Sequence, residues 1–342
     1  MENNTCLGCL ATNKTLKNNY CSKCIKELFN GIVPNPLNFD RVEFTKKRAE
    51  FSPRMSISGV QDKISLTFEK KDLVPTAING KYILKPISSG DGHIQNEKDV
   101  VANEHLSMLI SKNIFNIPTA NCGLIQFSDG ELAYITKRFD YDDISGLKYD
   151  QEDFAGIIGI TPSSHGENYK YDACSYLDCA RMIKKYVASS IVSIEDFFKR
   201  VILNYLICNG DAHLKNFSLY SKSDSSEYFL TPNYDLLNTR FHINEKYGDM
   251  ALELLDEYTP TYEKYGYYTY DDFKTFANYI DLKEVRFNKI MNFIEDSYPK
   301  VEELIDKSFL SESAKEFYRS SYKDRVKRLS FSKTLVKILI EI

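Results

Sequence analysis

The stretch "NGDAHLKNFSLY", residues 209–220, sets an acid, a histidine, a lysine and an asparagine on one short segment behind the apolar run "FFKRVILNYLIC" at 197–208. That run is apolar on most sides, which predicts a buried helix ending at Gly210, so that the chain leaves the core and exposes Asp211 in a loop. "FSLY" then begins a strand, "SKSDSSE" (221–227) reads as a hairpin-type loop, "YFLTP" returns, and Asp235 follows in "NYDLL". Three polar groups, Asp211, Asn216 and Asp235, are therefore expected at the end of one hairpin.

An Asp, an Asn five residues later and a second Asp nineteen residues beyond it, across a hairpin, have the order and spacing of the protein-kinase catalytic loop and its metal-binding Asp. The chemistry explains the residue types. A phosphoryl acceptor hydroxyl needs a carboxylate to orient it and take its proton, which is the role expected of Asp211. Mg²⁺, a hard cation, takes oxygen ligands beside the triphosphate of ATP, the role expected of Asn216 and Asp235. Such a site also needs a lysine for the phosphates, an acid to hold that lysine, and a loop over the nucleotide. Lys85 ends the strand "KYILK", Glu104 lies on the only helix between strands, and the loop Ser58, Gly59, Val60, Gln61, Asp62 and Lys63 precedes the first clear strand. A strand lysine or a helical glutamate alone is ordinarily a solvated surface residue. It is their order that points to a kinase.

The rest of the chain frames this site. Its 342 residues, 43% hydrophobic, suffice for at least one large core; 27% are charged, with a formal net charge of −4. No Lys/Arg block of the kind that coats nucleic acid stands out, so duplex DNA or RNA is not expected as a direct partner. No apolar run reaches the ~20 residues of a membrane span, and the N-terminus lacks the charged-then-apolar order of a secretion signal, so a cytoplasmic protein is expected. From 54 to 139 short strands dominate, in "KISLTFE", "KYILKP" and "ELAYITKRF", interrupted by one helix in "KDVVANEHLSMLISKN". Beyond 150, "SYLDCARMIKKYV", "IEDFFKRVILNYLICNG", "YDDFKTFANYI" and "RFNKIMNFIEDSY" carry apolar residues three or four apart. The expected fold is α+β and two-lobed, with a β-rich N-lobe over 34–140, an α-helical C-lobe over 141–342, and a small zinc-ribbon-like module over 1–33.

That module rests on cysteine spacing. Cys6/Cys9 and Cys21/Cys24 form two C-x2-C pairs with eleven residues between them, and two such turns close a tetrahedral, structural Zn²⁺ site, which suits a reducing compartment better than disulfides do. Residues 1–33 cannot build a core of their own, so the metal is expected to be their fold, with "VPNPLN" (33–38) as the linker out of it. Cys122, Cys174, Cys179 and Cys208 sit among apolar residues and are expected to be small core side chains.

The segments "SISGVQDKISL", "YILKP", "NEHLSMLI", "KRFD", "QEDFAGIIG", "NGDAHLKNFSLY", "LTPNYDLLNT" and "DMAL" resemble, in content and order, the motifs of the HipA-type serine/threonine kinases of bacterial toxin–antitoxin systems. The resemblance covers about residues 50–330. It implies Asp211 as catalytic base, Asn216 and Asp235 as Mg²⁺ ligands, Lys85 on the ATP phosphates, and Ser58 to Lys63 as the phosphate-binding loop. His213 and Lys215 fit the motif too, and for His213 a structural hydrogen bond within the loop is expected. The resemblance further implies a translation component as substrate, an aminoacyl-tRNA synthetase above all, and an antitoxin as partner, with nucleic acid reached only through that antitoxin. The segment ahead of the loop is shorter than in the longer members and looks like that of shorter members, whose missing N-terminal piece is a separate small protein. Ser56 matches a family position that is autophosphorylated, and Ser58 gives the paired-serine form. A phosphate there would repel the ATP phosphates and limit activity. Two other readings stand beside this one: a small-molecule phosphotransferase on the same scaffold, and an inactive core whose four-cysteine module works as an adaptor.

Overall fold

The structure, a computed structural model, describes residues 5–12, 14–51, 62–87, 95–143, 145–222, 225–243 and 249–340. A two-residue hairpin, β1 (Leu16–Lys17) and β2 (Tyr20–Cys21), leads into helix α1 (Ser22–Phe29), which stops where Asn30 turns left-handed at φ 52°. This helix buries Cys24, Ile25, Leu28 and Phe29. The expectation that metal alone would fold this segment is corrected here, because its buried face is spent on the neighbouring sheet. Phe29 packs against Phe68 and Tyr82, Tyr20 Oη donates to the Leu124 carbonyl at 2.6 Å, and Leu124 N donates to the Leu7 carbonyl at 2.9 Å. Nor is "VPNPLN" a free tether. Asn35 N bonds the Lys71 carbonyl and Leu37 N that of Gln126, so the stretch runs along the sheet. Helix α2 (Arg41–Phe51), absent from the sequence reading, follows and buries Phe44 against Phe127.

The N-lobe sheet consists of β3 (Ile64–Glu69), β4 (Asp72–Pro75), β5 (Tyr82–Lys85), β6 (Cys122–Gln126) and β7 (Leu132–Lys137), in the order β4-β3-β5-β7-β6 with every pairing antiparallel. The register pairs Lys85 with Tyr134, which places the lysine at the end of a central strand. Helix α3 (Val100–Leu109) lies on β6 and β7, and all ten of its residues are buried. Its polar residues survive burial because each has a partner: Asn103 exchanges hydrogen bonds with the Asn238 backbone, His105 Nε2 meets the Gly8 carbonyl at 3.2 Å, and Ser107 meets Tyr318 Oη at 3.0 Å.

The C-lobe opens with β8 (Asp150–Asp153) and the short helices α4 (Phe154–Ile158), α5 (Pro162–His165) and α6 (Tyr169–Asp172). Helix α7 (Tyr176–Tyr186) starts from a capping box of Ser175 and Asp178 and packs on α8 (Ser190–Leu206). Then come the hairpin β9 (Ser218–Ser221) and β10 (Tyr228–Leu230), with β8 completing a sheet of order β10-β9-β8. Helices α9 (Pro260–Tyr265), α10 (Tyr270–Tyr279), α11 (Glu284–Lys307) and α12 (Glu312–Ile340) close the chain. The hairpin lies where the sequence places it, but α8 stops at Leu206 rather than running on to Gly210, because Cys208 takes up φ 55° and turns the backbone out. Of the four other cysteines, Cys179 and Cys208 are buried, whereas Cys122 and Cys174 are only half-buried. Among the described residues no helix is long and apolar enough to cross a membrane.

Candidate active site

Lys85, Glu104 and Asp235, 150 positions apart at the extremes, meet at one point between the lobes. Lys85 Nζ donates to Glu104 Oε1 at 2.7 Å and also to Asp235 Oδ1. Burial alone would depress the Lys85 ammonium, but the carboxylates of Asp235 and Glu104 hold it above its ordinary range. Burial pushes Glu104 up, against the pull of the same lysine. Asp235 differs from Glu104. Despite a desolvation that would raise it, Lys85 keeps its carboxyl below the usual range, and its side chain is 43% exposed against 4% for Glu104. One Asp235 oxygen is therefore tied to the lysine while the carboxylate still reaches solvent. The aspartate adopts φ 61°, a left-handed backbone tolerated by Asp and found preferentially where a side chain must be aimed. Lys63 lies beside this trio, its ammonium held low by burial against the pull of Asp235. Asp62 turns outward to Arg48 at 2.6 Å.

The loop after α8 is fixed by side-chain hydrogen bonds of Asn209, Asn204 and Thr239. Asn209 Nδ2 donates to Asn204 Oδ1 at 2.9 Å, Gly210 N to Thr239 Oγ1 at 2.8 Å, and Asp211 N to Asn209 Oδ1 at 3.2 Å. Asn216 spends an amide N–H on the Asp211 carbonyl at 3.1 Å, so its Oδ1 remains for other use. The carboxylates of Asp211 and Asp235 both act on His213, whose imidazole burial keeps below its ordinary value. Among the described residues the His213 Nδ1 has no hydrogen-bond partner in the loop. Backbone atoms bond within it, His213 N to the Asp211 carbonyl at 2.8 Å and Asn216 N to the His213 carbonyl at 2.9 Å. The ring Nδ1 is buried, and Nε2 stands 3.7 Å from Asp211 Oδ1. Lys215 faces Asp153 at 3.5 Å.

The structure thus brings Lys85, Glu104 and Asp235 into contact, seats Lys63 beside them, and joins Asn216 to Asp211. Ser56, Ser58, Gly59, Val60 and Gln61 lie outside the described residues. Two residues that the sequence did not single out are Tyr171, whose Oη donates to Asp211 Oδ1 at 2.5 Å, and Tyr176, whose Oη donates to the Ala212 carbonyl at 2.8 Å. The chain has 24 tyrosines, and no spacing marks these two as facing the loop.

The second cluster is the cysteine set. The Sγ atoms of Cys6, Cys9, Cys21 and Cys24 all lie within 4.8 Å of one another, Cys9 and Cys21 at 3.7 Å. Four mutually adjacent thiols on two turns fit a tetrahedral Zn²⁺ with all four positions filled by protein. Asp235 and Asn216, the residues expected to hold Mg²⁺, each offer an oxygen, which suits a hard cation and suits softer metals poorly.

Residues 55–302 match the HipA-like C-terminal domain. The chain belongs to that family. A Haemophilus influenzae protein with the provisional name of kinase is 29% identical to this HipA-like chain over 316 residues, 86% of this chain and 88% of that protein. The Shewanella oneidensis serine/threonine-protein kinase toxin HipA is 24% identical over 223 residues, which are 61% of this chain and 48% of that toxin. Among solved structures, the Shewanella oneidensis MR-1 complex of HipA, HipB and its operator DNA contains a chain that superposes with a TM-score of 0.63 at 20% identity, covering 87% of this chain and 73% of that one. That superposition carries the fold: a HipA-like, kinase-type arrangement of a β-rich lobe and a helical lobe.

Proposed function

We propose that this HipA-like chain is an ATP- and Mg²⁺-dependent serine/threonine protein kinase of a toxin–antitoxin pair. The observation that carries the reading is Lys85 held between buried Glu104 and exposed Asp235, with the carboxylates of Asp235 and Asp211 both acting on His213 and Asn216 bonded to the Asp211 carbonyl. In this reading Lys85, kept charged and in place by Glu104, binds the nucleotide phosphates together with the loop ending at Lys63. Asn216 Oδ1 and Asp235 would hold Mg²⁺, whose charge would offset that developing on the transferred group. Asp211 orients the acceptor hydroxyl and takes its proton as that oxygen bonds to the γ-phosphorus and the bond to ADP breaks. Zn²⁺ on Cys6, Cys9, Cys21 and Cys24 is structural and takes no part in the transfer.

The named relatives support the kinase and antitoxin parts of the proposal. One is a serine/threonine kinase toxin, and the superposed structure pairs HipA with HipB on operator DNA. For this chain we accordingly assign an antitoxin as partner; a translation component as substrate, an aminoacyl-tRNA synthetase first, rests on the resemblance of the sequence motifs alone. Ser56 or Ser58 is the site of self-limiting autophosphorylation. The test is transfer of labelled ATP phosphate in a cell lysate, with mass spectrometry of the labelled band and of the chain itself. Wild-type protein should label a protein band and its own Ser56 or Ser58, while Asp211→Ala and Asp235→Ala lose transfer by at least about a hundredfold. Full activity in either variant would end the kinase reading, and label in a small molecule alone would replace the protein substrate.

A further inference from the structure

We infer that Tyr171 is a positioning residue that holds the carboxylate of Asp211 in its working orientation; the inference rests on Asp211 being the base. Asp211 sits on a loop with its side chain 50% exposed, so nothing in its own burial fixes the carboxylate. Among the described residues Tyr171 is the one hydrogen-bond donor to that group, at 2.5 Å to Oδ1. A carboxylate has two oxygens. With Oδ1 held by the phenol, Oδ2 is the atom left to accept the proton of an incoming hydroxyl, which turns a freely rotating group into a directed one.

Tyr171 is itself well placed for this task. It lies on the short helix α6, its ring stands edge-on to His213 with centroids 5.0 Å apart, and the Lys170 ammonium lies 4.8 Å from the Tyr171 ring centroid. Five residues on, Tyr176 Oη grips the Ala212 carbonyl. The segment from 171 to 176 therefore holds three successive loop residues: the carboxylate of 211, the carbonyl of 212 and the ring of 213. A tyrosine serving only as packing would need its ring and not its hydroxyl, and this distinction can be tested.

Tyr171→Phe keeps the ring and removes the hydroxyl. The expected result is a kcat about tenfold lower, as befits one lost hydrogen bond to a charged group, with KM for ATP unchanged and the melting temperature within about 2 °C of wild type. Because the residue acts through Asp211, its effect should shrink to less than about twofold in an Asp211→Glu background, where the carboxylate stands one methylene further along. A Tyr171→Phe protein with wild-type kcat, a tenfold loss that persists undiminished in the Asp211→Glu background, or a loss of fold and of ATP binding together would each overturn the inference. Full activity of Asp211→Ala would instead remove the proposed base, so the two failures are told apart.

Discussion

Glu104 and His105 are neighbours on α3, both buried, and they serve different partners: Glu104 holds Lys85, and His105 donates from Nε2 to the Gly8 carbonyl between two cysteines. Glu104 was legible because an acid on a helix between the lysine strand and the Asp211 loop completes a known order. The function of His105 was not, since its partner lies 97 positions away in sequence. Its consequence is thermodynamic. Burial pushes the His105 imidazole down to about 4, although the bond to Gly8 pulls the other way. The unfolded chain takes up this proton near pH 6.5 and the folded one near 4, so the contribution to stability is complete above about pH 6.5 and is lost as pH falls toward 4. The full loss is about 3 kcal/mol. Chemical denaturation from pH 7 to pH 4 should therefore show the wild type losing about that much more stability than His105→Gln, whose amide can still donate to Gly8. Parallel pH slopes for the two proteins would show that His105 is not held neutral.

Among the elements, those with a long apolar period could be read from sequence and those defined by partners could not. The regions of α7, α8, α10 and α11 repeat their apolar residues three or four apart, β3 alternates, and β5 and β7 are rich in β-formers. By contrast β4 ends on a proline, β6 opens on Cys122 and Gly123, and α2 is largely polar. The cysteine segment was legible as a cluster of four thiols yet not as a packing partner, because spacing brings thiols together and says nothing about what lies behind them. Gly8 links the two roles. A Cβ at this position would sit 2.7 Å from Cys24 Sγ and 2.8 Å from Cys24 Cβ, closer than real side chains approach. Gly8→Ala should therefore displace one ligand and weaken zinc binding at least about tenfold, in proportion to the 1–3 kcal/mol that overpacking costs. Competition with a chromophoric chelator measures it, with zinc counted at one per chain in the wild type. Zinc affinity equal to wild type would mean that Cys24 moves aside freely and that the four thiols are not a rigid site.

At the scale of the whole molecule, the sequence suggests a boundary at residue 33 and the packing raises a physical objection to cutting there. Leu7, Tyr20, Ile25, Leu28 and Phe29 are buried in one continuous core with Leu66, Tyr82 and Leu124 of the N-lobe sheet. Lys112, at the end of the α3 region, also reaches Glu27 at 2.8 Å and Asn121 at 2.7 Å, and Asn121 Nδ2 donates to the Glu27 carbonyl at 3.1 Å. Five large apolar side chains at roughly 1.5–3 kcal/mol each amount to on the order of 10 kcal/mol of burial. A whole domain is stable by only about 5–15 kcal/mol, so removing this face leaves little or nothing. The site shares the risk, because α3 presents Glu104 to Lys85 from a helix wedged between the cysteine segment and the Asn238 loop. A chain beginning at residue 34 is thus expected to aggregate, or to lose its cooperative melting transition, and to bind ATP weakly. It should not behave as a smaller, intact kinase. Calorimetry and nucleotide titration of the truncated protein decide the matter: a sharp transition near that of the full chain, with ATP affinity retained, would show that the zinc segment is an appended domain and that the shared core contributes little.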